Sequence, residues 1–223
     1  PGALDCKASV LINDLGKRSL VRGKDAEFQC FSASQELQYS GTFKARRRNF
    51  ELMKECGKST SEIVDLFARS ISDRVKLFRF WISGDFFNRY VLEASIALAN
   101  MRPDTHHYAY TKSLHLLRKL GRYQDDLTVH GNLRINLSRG GVFDRYIPEL
   151  QDLGYAVATV VNYATDQPSL GPIDSSDDLA ALGHLDPTVS DLRSFRLTLH
   201  GPQVKGSDAS KASHYNARNK GKA

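Results

Sequence analysis

The pattern of apolar and polar positions changes character near residue 76. Upstream, residues 1–32 hold no sustained period, and Gly2, Gly16 and Gly23 punctuate a polar stretch that reads as irregular. Over 35–56 the period is helical. Phe43, Phe50 and Met53 recur on one face, Lys44, Arg46, Arg47 and Arg48 crowd the others, and Gly57 stands where the helix should stop. Ser59-Thr60-Ser61-Glu62 forms a capping box, and Ile63, Leu66, Phe67 and Ile71 follow at core-face spacing.

Downstream, strands and helices alternate. Residues 77–82 predict an apolar strand ending in Ser83-Gly84-Asp85, and 90–101 a helix closed by Pro103. A second strand at 107–111 ends in Lys112-Ser113 and precedes a short helix at 114–120. A third strand within 127–137 ends in Ser138-Arg139-Gly140-Gly141, and 144–153 follows as a helix with Gly154 at its end. A fourth strand at 156–161 ends in Asn162, a brief helix lies at 176–182, and a fifth strand at 195–199 ends in His200-Gly201. Strands joined by helices return to the same edge and run parallel. Five such strands, or six with one upstream of Pro1, predict an α/β domain built as a partial (β/α) barrel or an open twisted sheet.

Composition fits one domain. Of 223 residues, 41% are hydrophobic and 25% charged, which excludes a wholly disordered chain. No run approaches the roughly 18 apolar residues of a membrane span, and no signal peptide is visible, so the expected setting is the cytoplasm. The chain does not open with Met, and it is expected to begin inside a longer or processed sequence. Net charge is +6, much of it in the segment 202–223, where Lys205, Lys211, Arg218, Lys220 and Lys222 face only Asp208. The domain therefore reads as 1–201, followed by a basic tail expected to be flexible. This tail and Arg46-Arg47-Arg48 read first as a solvated terminus and a solvated helix face, with nucleic-acid contact as the alternative.

In parallel α/β folds, ligands bind beyond the carboxyl ends of the strands. Ser83, Gly84 and Asp85, Thr111 and Lys112, Asn136, Ser138 and Arg139, Asn162, and His200 all fall there. One rim would then carry an acid, a lysine, an arginine, an amide and a histidine. Helix capping accounts for some of these residues, Asp85 among them. Ser-His-Asp hydrolysis is disfavoured because no G-x-S-x-G elbow occurs. His106-His107 has no further Cys or His at zinc spacing. Ser138-Arg139-Gly140-Gly141 is a weak phosphate cradle without a Walker-type lysine. The cysteines, Cys6, Cys30 and Cys56, are too few for a disulfide framework.

Several segments resemble a known family. They are Phe78-Arg79-Phe80-Trp81-Ile82-Ser83-Gly84-Asp85-Phe86, Tyr108-Ala109-Tyr110-Thr111-Lys112-Ser113, and the cysteine-bearing Pro1-Gly2-Ala3-Leu4-Asp5-Cys6 and Gln29-Cys30-Phe31-Ser32-Ala33-Ser34. With Leu199-His200-Gly201-Pro202-Gln203 they resemble the phage "gene product eighty-eight" family, most of all members carried by phages of marine cyanobacteria. That layout in turn resembles radical S-adenosylmethionine enzymes, in which cysteines hold a [4Fe–4S] cluster and a Gly-Gly-Glu-like motif contacts the cofactor's amino group. The resemblance implies metal ligation by Cys6 and Cys30. It also implies cofactor binding by Ser83, Gly84 and Asp85, with Lys112, Arg139, Asn162 and His200 lining the pocket. The spacing departs from C-x3-C-x2-C, since 23 residues separate Cys6 from Cys30, and a third ligand would lie upstream of Pro1 or be Cys56. The alternative is a non-catalytic phage or nucleic-acid-associated protein that keeps the scaffold without a cluster.

Overall fold

The structure is a computed structural model that describes residues 10–12, 18–20, 30–121, 131–174, 180–181, 194–200, 203 and 205–219. Two short strands, β1 (Val10–Ile12) and β2 (Arg18–Leu20), pair antiparallel, so the opening segment is not wholly irregular as its composition suggested. The long helical period upstream of Gly57 is split. α1 (Phe31–Gln38) ends at Tyr39, whose backbone is extended, and α2 (Ser40–Glu55) starts directly after it. One break in backbone conformation leaves the hydrophobic period almost undisturbed, which is why the pattern read as one helix. α3 (Thr60–Ser70) has the expected cap, with the Ser59 hydroxyl accepting from the Glu62 amide.

Five strands make the main sheet: β3 (Leu77–Phe80), β4 (His106–Thr111), β5 (Leu133–Ser138), β6 (Val157–Val161) and β7 (Ser194–Thr198). They lie in sequence order, every neighbouring pair is parallel, and the sheet is open, with β3 and β7 at its edges. Between strands run α4 (Arg89–Met101), α5 (Leu114–Gly121) and α6 (Ile147–Asp152). The predicted brief helix at 176–182 falls outside the described residues except for Ala180 and Ala181, which are helical.

Alternation along the strands sorts the two faces of the sheet. Phe80, Ala109, Leu133, Ile135, Leu137 and Val157 join one large core with residues of α3, α4, α5 and α6. Burial on that face is dense: α4 alone buries Val91, Leu92, Ala94, Leu98 and Ala99, and fully burying a Leu or Val contributes roughly 1.5–3 kcal/mol. The opposite face carries Tyr108, Ala156, Ala158 and Phe195, packed with Ala180 and Ala181. The register aligns Arg79, Tyr108 and Arg134 in one row across three strands of that face. The Arg79 guanidinium lies over the Tyr110 ring, 4.7 Å from its centre.

The C-terminal segment departs from expectation. Instead of a flexible tail, α7 (Asp208–Arg218) is a helix capped by Ser207 that buries Ala209, Ser210, Ala212 and Ser213. Its small residues allow close approach, and Asn216 Nδ2 donates to the carbonyls of Asn162 and Leu199, tying the helix to the ends of β6 and β7. Small buried residues in a polar sequence give little hydropathy signal, so the docking was not visible in composition.

His107 is fully buried in β4, stacked on Phe80, and neither ring nitrogen has a well-formed hydrogen bond among the described residues. Burial pushes its pKa down, with the nearby Thr105 and Asn132 carbonyls opposing only in part. The unfolded chain therefore takes up this proton near the ordinary value of about 6.5 while the fold resists it. Stability is held above that pH and falls as pH drops below it. Urea midpoints at neutral and mildly acidic pH should show this loss, and His107→Leu should reduce it.

Candidate functional site at the strand ends

The sheet gathers the predicted residues at the carboxyl ends of its strands, in two groups. The first is built on Asp85. β3 ends at Phe80, and Ser83-Gly84 then turns the chain sharply, with Gly84 at φ 85°, a conformation open chiefly to glycine. This turn sets the Asp85 carboxylate against the end of β4. Oδ1 accepts from the Phe86 amide at 2.7 Å and from the Thr111 hydroxyl at 2.5 Å, and Oδ2 accepts from the Lys112 amide at 2.7 Å. Thr111 accepts in turn from the Ser113 amide, and the Ser113 hydroxyl donates to the Phe86 carbonyl. Burial pushes the Asp85 pKa up, while hydrogen bonds from Thr111, Lys112, Phe86 and Ser113 pull it back toward ionisation. Asp85 does not cap the next helix, as its position suggested; Asn88 does, accepting from the Val91 amide.

Lys112 continues the group, its ammonium donating to the Gly140 carbonyl at 3.2 Å beside the exposed Arg139. The glycine turn at Gly140-Gly141 is already filled from within. Both amides donate to the Asp144 carboxylate, which stands where a phosphate would and repels one. The second group is Asn162 and His200. α7 holds the Asn162 carbonyl, and the exposed His200 keeps Nδ1 3.2 Å from the Thr198 carbonyl.

The cysteine segment reaches the same rim from the edge. Cys30 is the N-cap residue of α1, and two residues on, the Ser32 hydroxyl donates to the Ile82 carbonyl at 3.0 Å. Glu36, 2% exposed, accepts from the Ser83 hydroxyl at 2.7 Å and from Arg46 at 3.2 Å. Sequence reasoning missed Glu36. Its only sign was an acid on a helix whose neighbours are small, because burial of a charge shows only once its partners are placed. Cys56 is a poor cluster ligand: it caps α2, its thiol donates to the Leu52 carbonyl, and burial raises its pKa, opposing the thiolate. Cys6 lies outside the described residues. Among the described residues, no three His, Cys, Asp or Glu side chains gather to hold a metal.

A family model described as Gene product 88 matches residues 1–218. The chain belongs to the Gene product 88 family. No curated protein and no solved structure matches it. The match spans the cysteine-bearing segment, all five parallel strands and α7, so the rim of this Gene product 88 chain lies wholly inside the family's own length.

The candidate nucleic-acid contacts on α2 are partly engaged. Arg46 is held by Glu36, Gln35 and the Ser32 carbonyl, and Arg47 pairs with Glu51 at 2.8 Å. Among the described residues no helix is long and apolar enough to cross a membrane.

The strand-end latch makes a definite prediction for this Gene product 88 chain. In Asp85→Asn, the amide nitrogen would meet either the Lys112 N–H or the Phe86 and Thr111 donors, leaving at least one of them unpaired. The expected cost is about 1–3 kcal/mol in chemical denaturation. A change within a few tenths would mean that the latch carries no weight.

Proposed function

We propose that this Gene product 88 chain is a radical S-adenosylmethionine-type enzyme, with Cys6 and Cys30 as two of the ligands of a [4Fe–4S] cluster. The observation that carries the reading is the docking of the Cys30 segment on the carboxyl end of β3, through Ser32 to Ile82 and Glu36 to Ser83. The segment that docks there carries Cys30, a cysteine free of any disulfide whose side chain packs against Ala33 in a small cluster with Leu20 and Phe43, and the resemblance asks for a cluster and a cofactor amine at this end of the sheet. An open, sequential parallel sheet with residues of α3, α4, α5 and α6 in the core on one face is compatible with the reading.

When bound, such a cluster supplies the electron that cleaves the sulfonium and opens radical chemistry on a substrate. The chain's own residues bind and orient. Asp85 would take an ammonium group in exchange for one of the donors that hold it, and the apolar Phe86 and Phe87 beside it lower the local dielectric and would strengthen that contact. Gly84 lets the backbone approach the ligand closely. Lys112 and Arg139 place positive charge on the same rim, suited to the cofactor's carboxylate. Asn162 and His200, at the far end of the rim, are assigned to the substrate side.

Anaerobic reconstitution with iron and sulfide tests the proposal directly. Bound iron and sulfide near four of each per chain, lost in Cys30→Ala and kept in Cys56→Ala, are expected for this cluster type. Equal iron in the parent and Cys30→Ala would overturn it, provided circular dichroism shows both folded.

A further inference from the structure

A second feature lies on the sheet face opposite the large core. Strand alternation puts Arg79 of β3, Tyr108 and Tyr110 of β4, and Arg134 and Asn136 of β5 on that one face. Arg79, Tyr108 and Arg134 are level with one another, so two interstrand spacings, about 10 Å, separate the arginine backbones. Both arginine side chains lean toward the carboxyl ends of the strands. The Arg79 guanidinium reaches the Tyr110 ring, and Arg134 Nε donates to Asn136 Oδ1 at 3.1 Å; Tyr110 and Asn136 are themselves cross-strand partners. Tyr110 also acts electrostatically on Arg134, so the two cations converge on one phenol.

Arg134 is the member whose partners are incomplete. Its Nε has only Asn136, a neutral acceptor that is fully buried and held in turn by the Ala109 and Ala180 carbonyls. Its Nη2 is buried and donates to nothing among the described residues. Buried Asp174 attracts Arg134 through space without pairing with it, and the Asp174 carboxylate accepts from the Ala180 amide at 2.9 Å. Burial pushes the Arg134 pKa down, with Asp174 and Tyr110 opposing, yet a guanidinium keeps its charge at any physiological pH. Packing alone would be served by Met or Leu, which bury no unmatched charge. The Nη edge of a guanidinium is the fork that takes an oxyanion by two parallel bonds, and here that edge is unfilled.

Two arginines drawn to one phenol, one of them with an unfilled fork, fit an acidic ligand group. We propose that this face seats the phosphate or carboxylate of a small-molecule ligand, held by the Nη edge of Arg134 with Arg79 and Tyr110 alongside. The seat uses none of the residues assigned to the cluster or the cofactor, and its occupancy does not depend on either.

Thermal unfolding of the iron-free protein tests this, in sodium phosphate, sodium acetate and sodium chloride at matched ionic strength. The expected result is a saturable rise in midpoint over chloride, of about 3 °C or more once the anion exceeds its Kd by about tenfold. A rise with phosphate alone assigns a phosphate group to the ligand, and a rise at least as large with acetate assigns a carboxylate. Either rise should vanish in Arg134→Gln, whose amide can still donate to Asn136. If that variant fails to fold, Arg134→Lys serves: it keeps the charge and loses the fork, and the anion's Kd should increase by about tenfold. No preference over chloride in the parent, or an undiminished response in the variant, would overturn the proposal. Because no cluster is present, the outcome is independent of the iron analysis.

Discussion

The Asp85 carboxylate joins the carboxyl ends of β3 and β4 by accepting from Phe86, Thr111 and Lys112 at once. Parallel strands have no hairpin to fix their ends, so something else must hold adjacent termini at one level. Here a charged acceptor does it, and charge-assisted bonds are about twice as strong as neutral ones. The latch then propagates. Lys112, set by its amide, reaches Gly140 at the end of β5, and Asp144 fixes the turn after that strand. On the other side, Ser83 engages Glu36 and with it the cysteine segment. The rim is thus one chain of contacts from α1 to the β5 turn, with α7 closing the β6 and β7 ends independently.

The same bonds bear on chemistry. A carboxylate held by Phe86, Thr111, Lys112 and Ser113 is fixed in orientation, so the ammonium of the proposed cofactor would meet an acceptor already aligned. That is preorganisation, and its usual cost is stability elsewhere. Nearby, Trp81 has a left-handed backbone, and its buried indole N–H has no acceptor among the described residues. The Glu36–Arg46 pair is a second exposure to loss, since removing either partner would leave a charge stranded in a poorly solvated place.

Much of the sheet was legible in the sequence because each parallel strand is an apolar run bounded by turn residues, and helices with clear periods separate them. Strand positions agree to within a residue or two for β3, β4, β6 and β7. The placement of Asp85, Lys112, Arg139, Asn162 and His200 at strand ends followed from the same pattern. What the pattern does not carry is partnership. Asp85 looked like a cap, yet Asn88 caps α4; the Gly140-Gly141 turn looked open, yet Asp144 fills it. The break at Tyr39 and the docking of α7 were hidden for a related reason, since each rests on local backbone geometry or on small buried residues. The convergence of Arg79 and Arg134 on Tyr110 required three strands to be set in register, and no single segment announced it.

The central claim is that the Cys30 segment presents a cluster to the Ser83-Gly84-Asp85 turn. Electron paramagnetic resonance of the reconstituted, chemically reduced protein tests it most directly, recorded with and without S-adenosylmethionine. The account predicts a [4Fe–4S] signal whose shape changes when S-adenosylmethionine is added, with the change abolished in Asp85→Ala while the signal itself persists. A protein that gives no cluster signal, or one whose signal is indifferent to S-adenosylmethionine, would contradict it.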